Sequence, residues 1–285
     1  MRLDYSYLRT PWVTVCAPGI DRHEGCVARV IAVCNQKGGV GKTTTCVNLA
    51  ASLAAADTPT LLIDLDPQAN ATSSLGLVQS ELKHDIYEVL CSEIPLADAV
   101  CDTALQHLKV VPSTTDLVGA EVELASAMAR ERRLERCLAP VRDGYKVILI
   151  DSPPSLGILT INALTAADSV LVPLQCEYMA LEGLAALMRT VSLVREGLNP
   201  RLAVEGLLLT MFDPRNNLSN QVAEEARTHF SQQLFRTIIP RNVRLSEAPS
   251  HGKPVLLYDL NSKGALSYLQ LADELLERIQ RHGHT

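Results

Sequence analysis

The stretch Asn35-Gln36-Lys37-Gly38-Gly39-Val40-Gly41-Lys42-Thr43-Thr44-Thr45 constrains this chain more than any other. An apolar, β-branched run, Val30-Ile31-Ala32-Val33, precedes it, and Val47-Asn48-Leu49-Ala50-Ala51-Ser52-Leu53-Ala54 follows with apolar residues at helical spacing. The pattern reads as strand, glycine-rich turn, helix. The usual phosphate-binding pattern G-x-x-x-x-G-K-[ST] asks for Gly at position 36, where this chain has Gln. Lys37 to Thr43 is therefore a variant P-loop with an extra lysine near its start. Glycines at 38, 39 and 41 let the backbone curl around phosphate oxygens and aim its N–H groups inward. The following helix N-terminus adds partial positive charge. Lys42 is expected against the β- and γ-phosphates of a nucleotide, and the Thr43 hydroxyl on Mg²⁺.

Composition narrows the class. With 285 residues, one large α/β domain or two small ones are possible. Hydrophobic residues make up 47% and aromatics only 4%, so the core must be built from Leu, Val, Ile and Ala. A net charge of −6 argues against a uniformly basic nucleic-acid binder while leaving room for a local basic face. The eight cysteines include no C-x-x-C pair and sit mostly in apolar settings, as buried thiols of a reducing compartment do. No apolar run reaches the roughly 18 residues of a membrane span.

Further along, Thr60-Leu61-Leu62-Ile63-Asp64 reads as a buried strand ending in Asp64-Leu65-Asp66-Pro67-Gln68, and Tyr145 to Asp151 as a second buried strand closing on an acid. Acids at the carboxyl ends of strands beside a P-loop lie where open α/β sheets hold ligands. Four apolar residues followed by Asp151 form the Walker B pattern, with Asp151 toward Mg²⁺ through water. Strands are also expected at 107–112, 169–173, 204–210 and 237–240, with helices between them. The alternation predicts a single-domain α/β fold, a mostly parallel twisted sheet with helices on both faces, over residues 28–285. Residues 1–27, with the only tryptophan and no clear period, are expected to lie outside this fold. A mis-assigned translation start, the true one lying near Val27, is a second reading of the same segment.

Lys37 to Thr44, Asp64-Leu65-Asp66-Pro67-Gln68 and Asp151-Ser152-Pro153-Pro154 together resemble the ParA/MinD class of P-loop ATPases. Asn70-Ala71-Thr72, Glu177 to Leu184 and Ile239 to Pro254 resemble its short, Soj-like chromosomal members. The resemblance covers about residues 28–280 and implies an ATP- and Mg²⁺-dependent switch that joins two subunits face to face. It implies that Lys37 reaches the partner's phosphates, that Asp66 orients the attacking water and that Thr44 contacts the α-phosphate. It places Pro240 and Asn242 near the adenine and makes Arg215 and Arg244 contacts to non-specific DNA. A homodimer acting with a ParB-type centromere-binding protein on a chromosome or plasmid, cytoplasmic and nucleoid-associated, is the implied setting. Between 214 and 264 seven Lys/Arg stand against four Asp/Glu, in keeping with a local basic face.

Two departures from the family pattern are Ala69, where Gly is frequent, and Met179, where an aromatic is frequent. Neither is expected to touch the chemistry. Positioning of another intracellular cargo remains an alternative. A MinD-like membrane regulator needs a basic amphipathic C-terminal helix, and the last helix here carries Asp273, Glu274 and Glu277 instead. No membrane partner is expected. A metal-cluster carrier of the nitrogenase-iron-protein type lacks its cysteine motif.

Overall fold

Four short apolar runs form the centre of the molecule because no face of them is left to water. In the computed structural model, which describes residues 28–177 and 180–282, every residue of β2 (Thr60–Asp64), β5 (Val147–Asp151) and β6 (Ser169–Gln175) is buried. So is all of β1 (Arg29–Val33) beyond its first residue. The segment 1–27, Tyr178, Met179 and the terminal Gly-His-Thr lie outside the described residues, and with them the expected extension and the Met179 departure.

The full sheet has seven strands, adding β3 (Cys101–Asp102), β4 (Leu108–Val111) and β7 (Ala203–Thr210), in the order β3-β4-β2-β5-β1-β6-β7. All neighbours run parallel except β3 against β4. Helices cover both faces: α1 (Lys42–Ala55), α2 (Asn70–Ser74), α3 (Ile86–Cys91), α4 (Leu117–Glu123), α5 (Arg133–Leu138), α6 (Ile158–Ala166), α7 (Ala180–Gly197), α8 (Asn217–Phe230), α9 (Val243–Glu247), α10 (Val255–Tyr258) and α11 (Lys263–His282). This is the α/β fold expected from the alternation of strands and helices.

Strand side chains alternate between two cores although the sequence shows unbroken apolar runs. Val30, Ile63, Ile148 and Val172 face one core, under α3 to α8. Ile31, Leu62, Leu149 and Leu171 face the other, with α1 and α11. α1 is buried nearly all round because it is wedged between the sheet and α11, where Tyr268 is fully buried and its hydroxyl meets Thr45 Oγ1 at 3.3 Å.

The strand expected at 237–240 does not form. Near it the backbone forms only isolated bridges, Leu207 of β7 with Leu234 before the segment and Phe212 beyond β7 with Pro240. The buried Glu274 carboxylate takes the N–H groups of Arg236 and Thr237 at 2.9 Å each, and Pro240 has no N–H to offer. The segment still closes the β7 edge, through Phe235 N to Leu207 O and Ile239 N to Leu209 O, both 2.9 Å.

β7 carries an irregularity that lets this happen. The register against β6 shifts between Val170 and Leu171, so Glu205 falls out of step. Its carboxylate is buried on Arg29 Nη2 (2.9 Å) and Ser169 Oγ (2.6 Å). The next residue, Gly206, is pressed against the closing segment: a Cβ there would lie 2.5 Å from Phe235 Cε2 and 2.7 Å from Gln233 O. Gly206→Ala is expected to lower the unfolding free energy by about 2 kcal/mol, since backbone cannot yield as a side chain tip can. Urea denaturation checks this, and an unchanged midpoint would show that the 233–235 wall moves freely.

Candidate functional site

Strand order assembles the site. β1 lies between β5 and β6, and β5 lies between β1 and β2. The register sets Val33 beside Asp151 and Asp151 beside Asp64, so the P-loop and both acidic strand ends open on one edge. This is the carboxyl end of the parallel strands, where the strand order reverses.

The turn from β1 into α1 needs glycine at two positions. Gly39 and Gly41 have φ of 73° and 87°, in the left-handed region. No protein atom lies within 4 Å of where a Cβ would stand on Gly38 or Gly39, so that side of the turn is an open cradle. Thr210 Oγ1 donates to Val40 O at 2.9 Å, and Asn35 braces the start by accepting from Lys37 N (3.0 Å) and donating to Pro173 O (2.7 Å). Gly41 caps α1 with no side-chain bond, which leaves the first N–H groups of the helix directed at the loop.

Lys42 is 7% exposed and its Nζ donates to Lys37 O at 3.2 Å. Burial lowers its pKa, while Asp151 and then Asp66 act to raise it. Lys37 has a different setting: it is half-exposed and paired with Glu177 Oε2 at 3.2 Å. Glu177 in turn accepts from Gln175 Nε2 at 2.6 Å and sits 4.0 Å from Arg241.

Asp151 is completely buried. Its Oδ1 accepts from the Cys46 thiol at 3.5 Å, while Oδ2 has no hydrogen-bond partner among the described residues. Burial, then the charge of Asp64 on the adjacent strand, pushes this carboxyl well above the usual range, and the Thr43 side chain beside it acts the other way. A buried, unpartnered carboxylate oxygen next to a hydroxyl at a helix start is what a hard divalent cation or its water ligand fits. Asp64 is pushed up to about 6 by burial, against the Thr72 donors. Its Oδ2 takes both Thr72 N (2.8 Å) and Thr72 Oγ1 (2.7 Å), and its Oδ1 takes Asp66 N (3.2 Å). Asp64 is thus the anchor of the loop that presents Asp66. The Asp66 side chain is 6% exposed and accepts from Gln68 N at 2.9 Å.

Beside the P-loop a cavity of about 220 Å³ is lined by Gly41, Thr44, Met211, Pro240, Asn242 and Tyr268 among others. The expected Pro240 and Asn242 therefore meet the P-loop at one cavity. Arg215 and Arg244 stand outside it. Arg215 is 87% exposed and grips Asp213 with Nε and Nη2, both at 3.0 Å. Arg244, in the first turn of α9, pairs with Glu247 (2.8 Å) and Asp259 (3.2 Å).

A profile described as "AAA domain" matches residues 28–204. The chain is 58% identical over 252 residues to the chromosome partitioning protein ParA of Myxococcus xanthus, covering 88% of this chain and 89% of that one. It is 53% identical over 249 residues to the sporulation initiation inhibitor protein Soj of Bacillus subtilis, covering 87% and 98%. The chain belongs to the ParA/Soj family of chromosome-partitioning ATPases. Among solved structures it is similar to the cobyrinic acid a,c-diamide synthase of Mycobacterium smegmatis with bound ATP analog and magnesium. That match has 38% identity and a TM-score of 0.78, over 89% of this chain and 96% of that one.

For a ParA/Soj chain, Ala69 has more consequence than its sequence suggests. It has φ 52° and ψ 34°, left-handed, at the start of α2, and its N–H bonds Asp66 O at 2.9 Å. The departure from Gly thus falls inside the turn that carries Asp66. A side chain in this conformation costs about 1–2 kcal/mol. Glycine returns part of that as unfolded-state entropy. Ala69→Gly is expected to raise stability by about 0.5 kcal/mol net of these two effects. A lower urea midpoint would show that the turn stores no strain.

Proposed function

We propose that this chain is a dimerising ATP switch. In the ATP- and Mg²⁺-bound state it pairs with a second copy, holds duplex DNA without sequence preference, and releases it after hydrolysis. With a ParB-type centromere-binding partner it partitions a chromosome or plasmid on the nucleoid. The observation that carries this reading is the convergence of Lys42, Thr43, Asp66 and the unpartnered Asp151 oxygen on one strand-end edge beside the left-handed glycines 39 and 41.

The roles follow from chemistry. N–H groups of Lys37 to Thr44, with Gly38, Gly39, Val40 and Gly41 between, wrap the phosphates. Lys42 exchanges its bond to Lys37 O for β- and γ-phosphate oxygens. Thr43 and Asp151 would hold Mg²⁺, directly or through water, and the ion would supply positive charge against the phosphates. Thr44 lies at the α-phosphate, and Pro240 and Asn242 flank the adenine. Lys37 leaves Glu177 and reaches the partner's phosphates, where a positive charge offsets charge developing in phosphoryl transfer. Asp66 orients the attacking water, its backbone held by buried Asp64.

Asp66→Ala is expected to retain ATP binding and to slow hydrolysis by about 100-fold or more, trapping the ATP state. Phosphate release and nucleotide fluorescence measure the two separately. Turnover at the wild-type rate would take Asp66 out of this role.

Arg215 and Arg244 contact DNA phosphates in this reading. Co-sedimentation with random-sequence duplex under ATP, ADP and no nucleotide is the decisive test, with binding expected only under ATP and abolished at raised salt. Arg244→Glu is expected to weaken binding without affecting nucleotide-driven association, lowering the slope of log K against log salt by about 0.9 for each phosphate no longer neutralised. DNA binding that ignores nucleotide, or none at all, would overturn the switch.

A further inference from the structure

Asp151 is held at one oxygen only. Cys46 stands one helical turn after Thr43, so α1 presents both side chains to the end of β5. The Cys46 side chain is fully buried and its Sγ lies 3.5 Å from Asp151 Oδ1. The companion oxygen, Oδ2, is equally buried and has no hydrogen-bond partner among the described residues. The final torsion of an aspartate is broad, so packing alone sets the plane of its carboxylate only loosely. The Cys46 donor on Oδ1, with the Thr43 hydroxyl also beside the carboxylate, fixes that plane. A thiol is a weak donor, so it fixes orientation while withdrawing little charge from the carboxylate.

We propose that Cys46 is a positioning residue for the metal-facing carboxylate: its S–H holds Asp151 Oδ1 so that Oδ2 stays directed to Mg²⁺ or to its water. The inference rests on the reading of Asp151 as the metal-facing acid. It deepens that reading by making the α1 residue after Thr43-Thr44-Thr45 a second determinant of metal affinity.

Three variants of the full chain separate orientation from packing. Cys46→Ser keeps a donor in a smaller side chain, Cys46→Val keeps bulk without a donor, and Cys46→Ala keeps neither. The readout is the Mg²⁺ concentration that half-saturates binding of a fluorescent ATP analogue. Val and Ala are expected to raise it by about three- to tenfold, and Ser to restore it to near the wild-type value. Val at the wild-type value with Ser impaired would show a packing role and overturn the proposal, as would no change in any variant. Infrared spectroscopy of the nucleotide-free protein supplies a second readout that does not depend on metal. The S–H stretch that disappears in Cys46→Ala is expected at a hydrogen-bonded frequency and to move toward the free-thiol frequency in Asp151→Leu, which removes both acceptor oxygens. A band that stays in place would overturn the contact. Should Asp151→Asn leave the Mg²⁺ dependence itself unchanged, the metal reading fails; should it abolish that dependence while the Cys46 variants behave as wild type, only the positioning role of Cys46 fails.

Discussion

Two buried carboxylates facing each other across adjacent strands set the terms for the rest of the molecule. Asp64 and Asp151 are register partners and neither is exposed. Burying like charges side by side is unfavourable unless donors, protons or a cation answer them. The chain supplies donors unevenly. Asp64 has Thr72 twice and Asp66 N, so it serves as a structural anchor. Asp151 has one weak thiol on one oxygen and, among the described residues, nothing on the other. The site therefore carries its electrostatic surplus on Asp151, beside Thr43 and within the field of Lys42. Ligand sites concentrate such perturbed groups because a pocket satisfied from within has nothing left to offer.

The two lysines of the loop divide the work by their surroundings. Lys42 begins a helix buried along almost its whole length, so its position is fixed by the core. Such fixation supplies the orientation that phosphoryl chemistry needs before the substrate arrives. Lys37 is bound through its side chain by a half-exposed ion pair with Glu177. Pairs of that kind contribute about 0–1 kcal/mol. On the proposed reading, the side chain that changes partners is thus tied by a contact weak enough to exchange, while the other is positioned by the core.

The P-loop was legible from its own residues because every feature of it is local: an apolar strand, glycines at fixed offsets, a helix. Asp66 and Asp151 were legible as strand-end acids, but their juxtaposition was not. It depends on β5 inserting between β1 and β2, an order that no local pattern encodes. Asp64 read as a plain strand end, and its anchoring role emerges only from the return of Thr72 eight residues later. Cys46 was hidden among apolar neighbours, although its three-residue spacing from Thr43 on a helix was a usable signal. The false strand at 237–240 shows the opposite failure, since β-branched residues there suggested a ladder while Glu274, far along the chain, took the N–H groups of Arg236 and Thr237 at its start. The count of charges between 214 and 264 leaves out Asp213, one residue before the window, and Glu277, well after it. Both neutralise arginines inside the window.

That neutralisation bears on how a chain of net charge −6 could hold DNA at all. Arg215 and Arg244 each already have a carboxylate on the guanidinium, and both pairs are exposed enough for solvent and salt to screen them. On the proposed reading a DNA phosphate competes with that carboxylate for the guanidinium, so the gain per arginine is reduced toward the difference between two similar contacts. One copy of such a surface would then bind weakly. Two copies held side by side turn the second engagement into an intramolecular event, and affinity rises by orders of magnitude with no new contact. On the proposed reading, the weakness of the single basic face is what makes binding depend on pairing, and pairing on the nucleotide. A more strongly basic face would hold DNA as a monomer and escape control by the site at the strand ends.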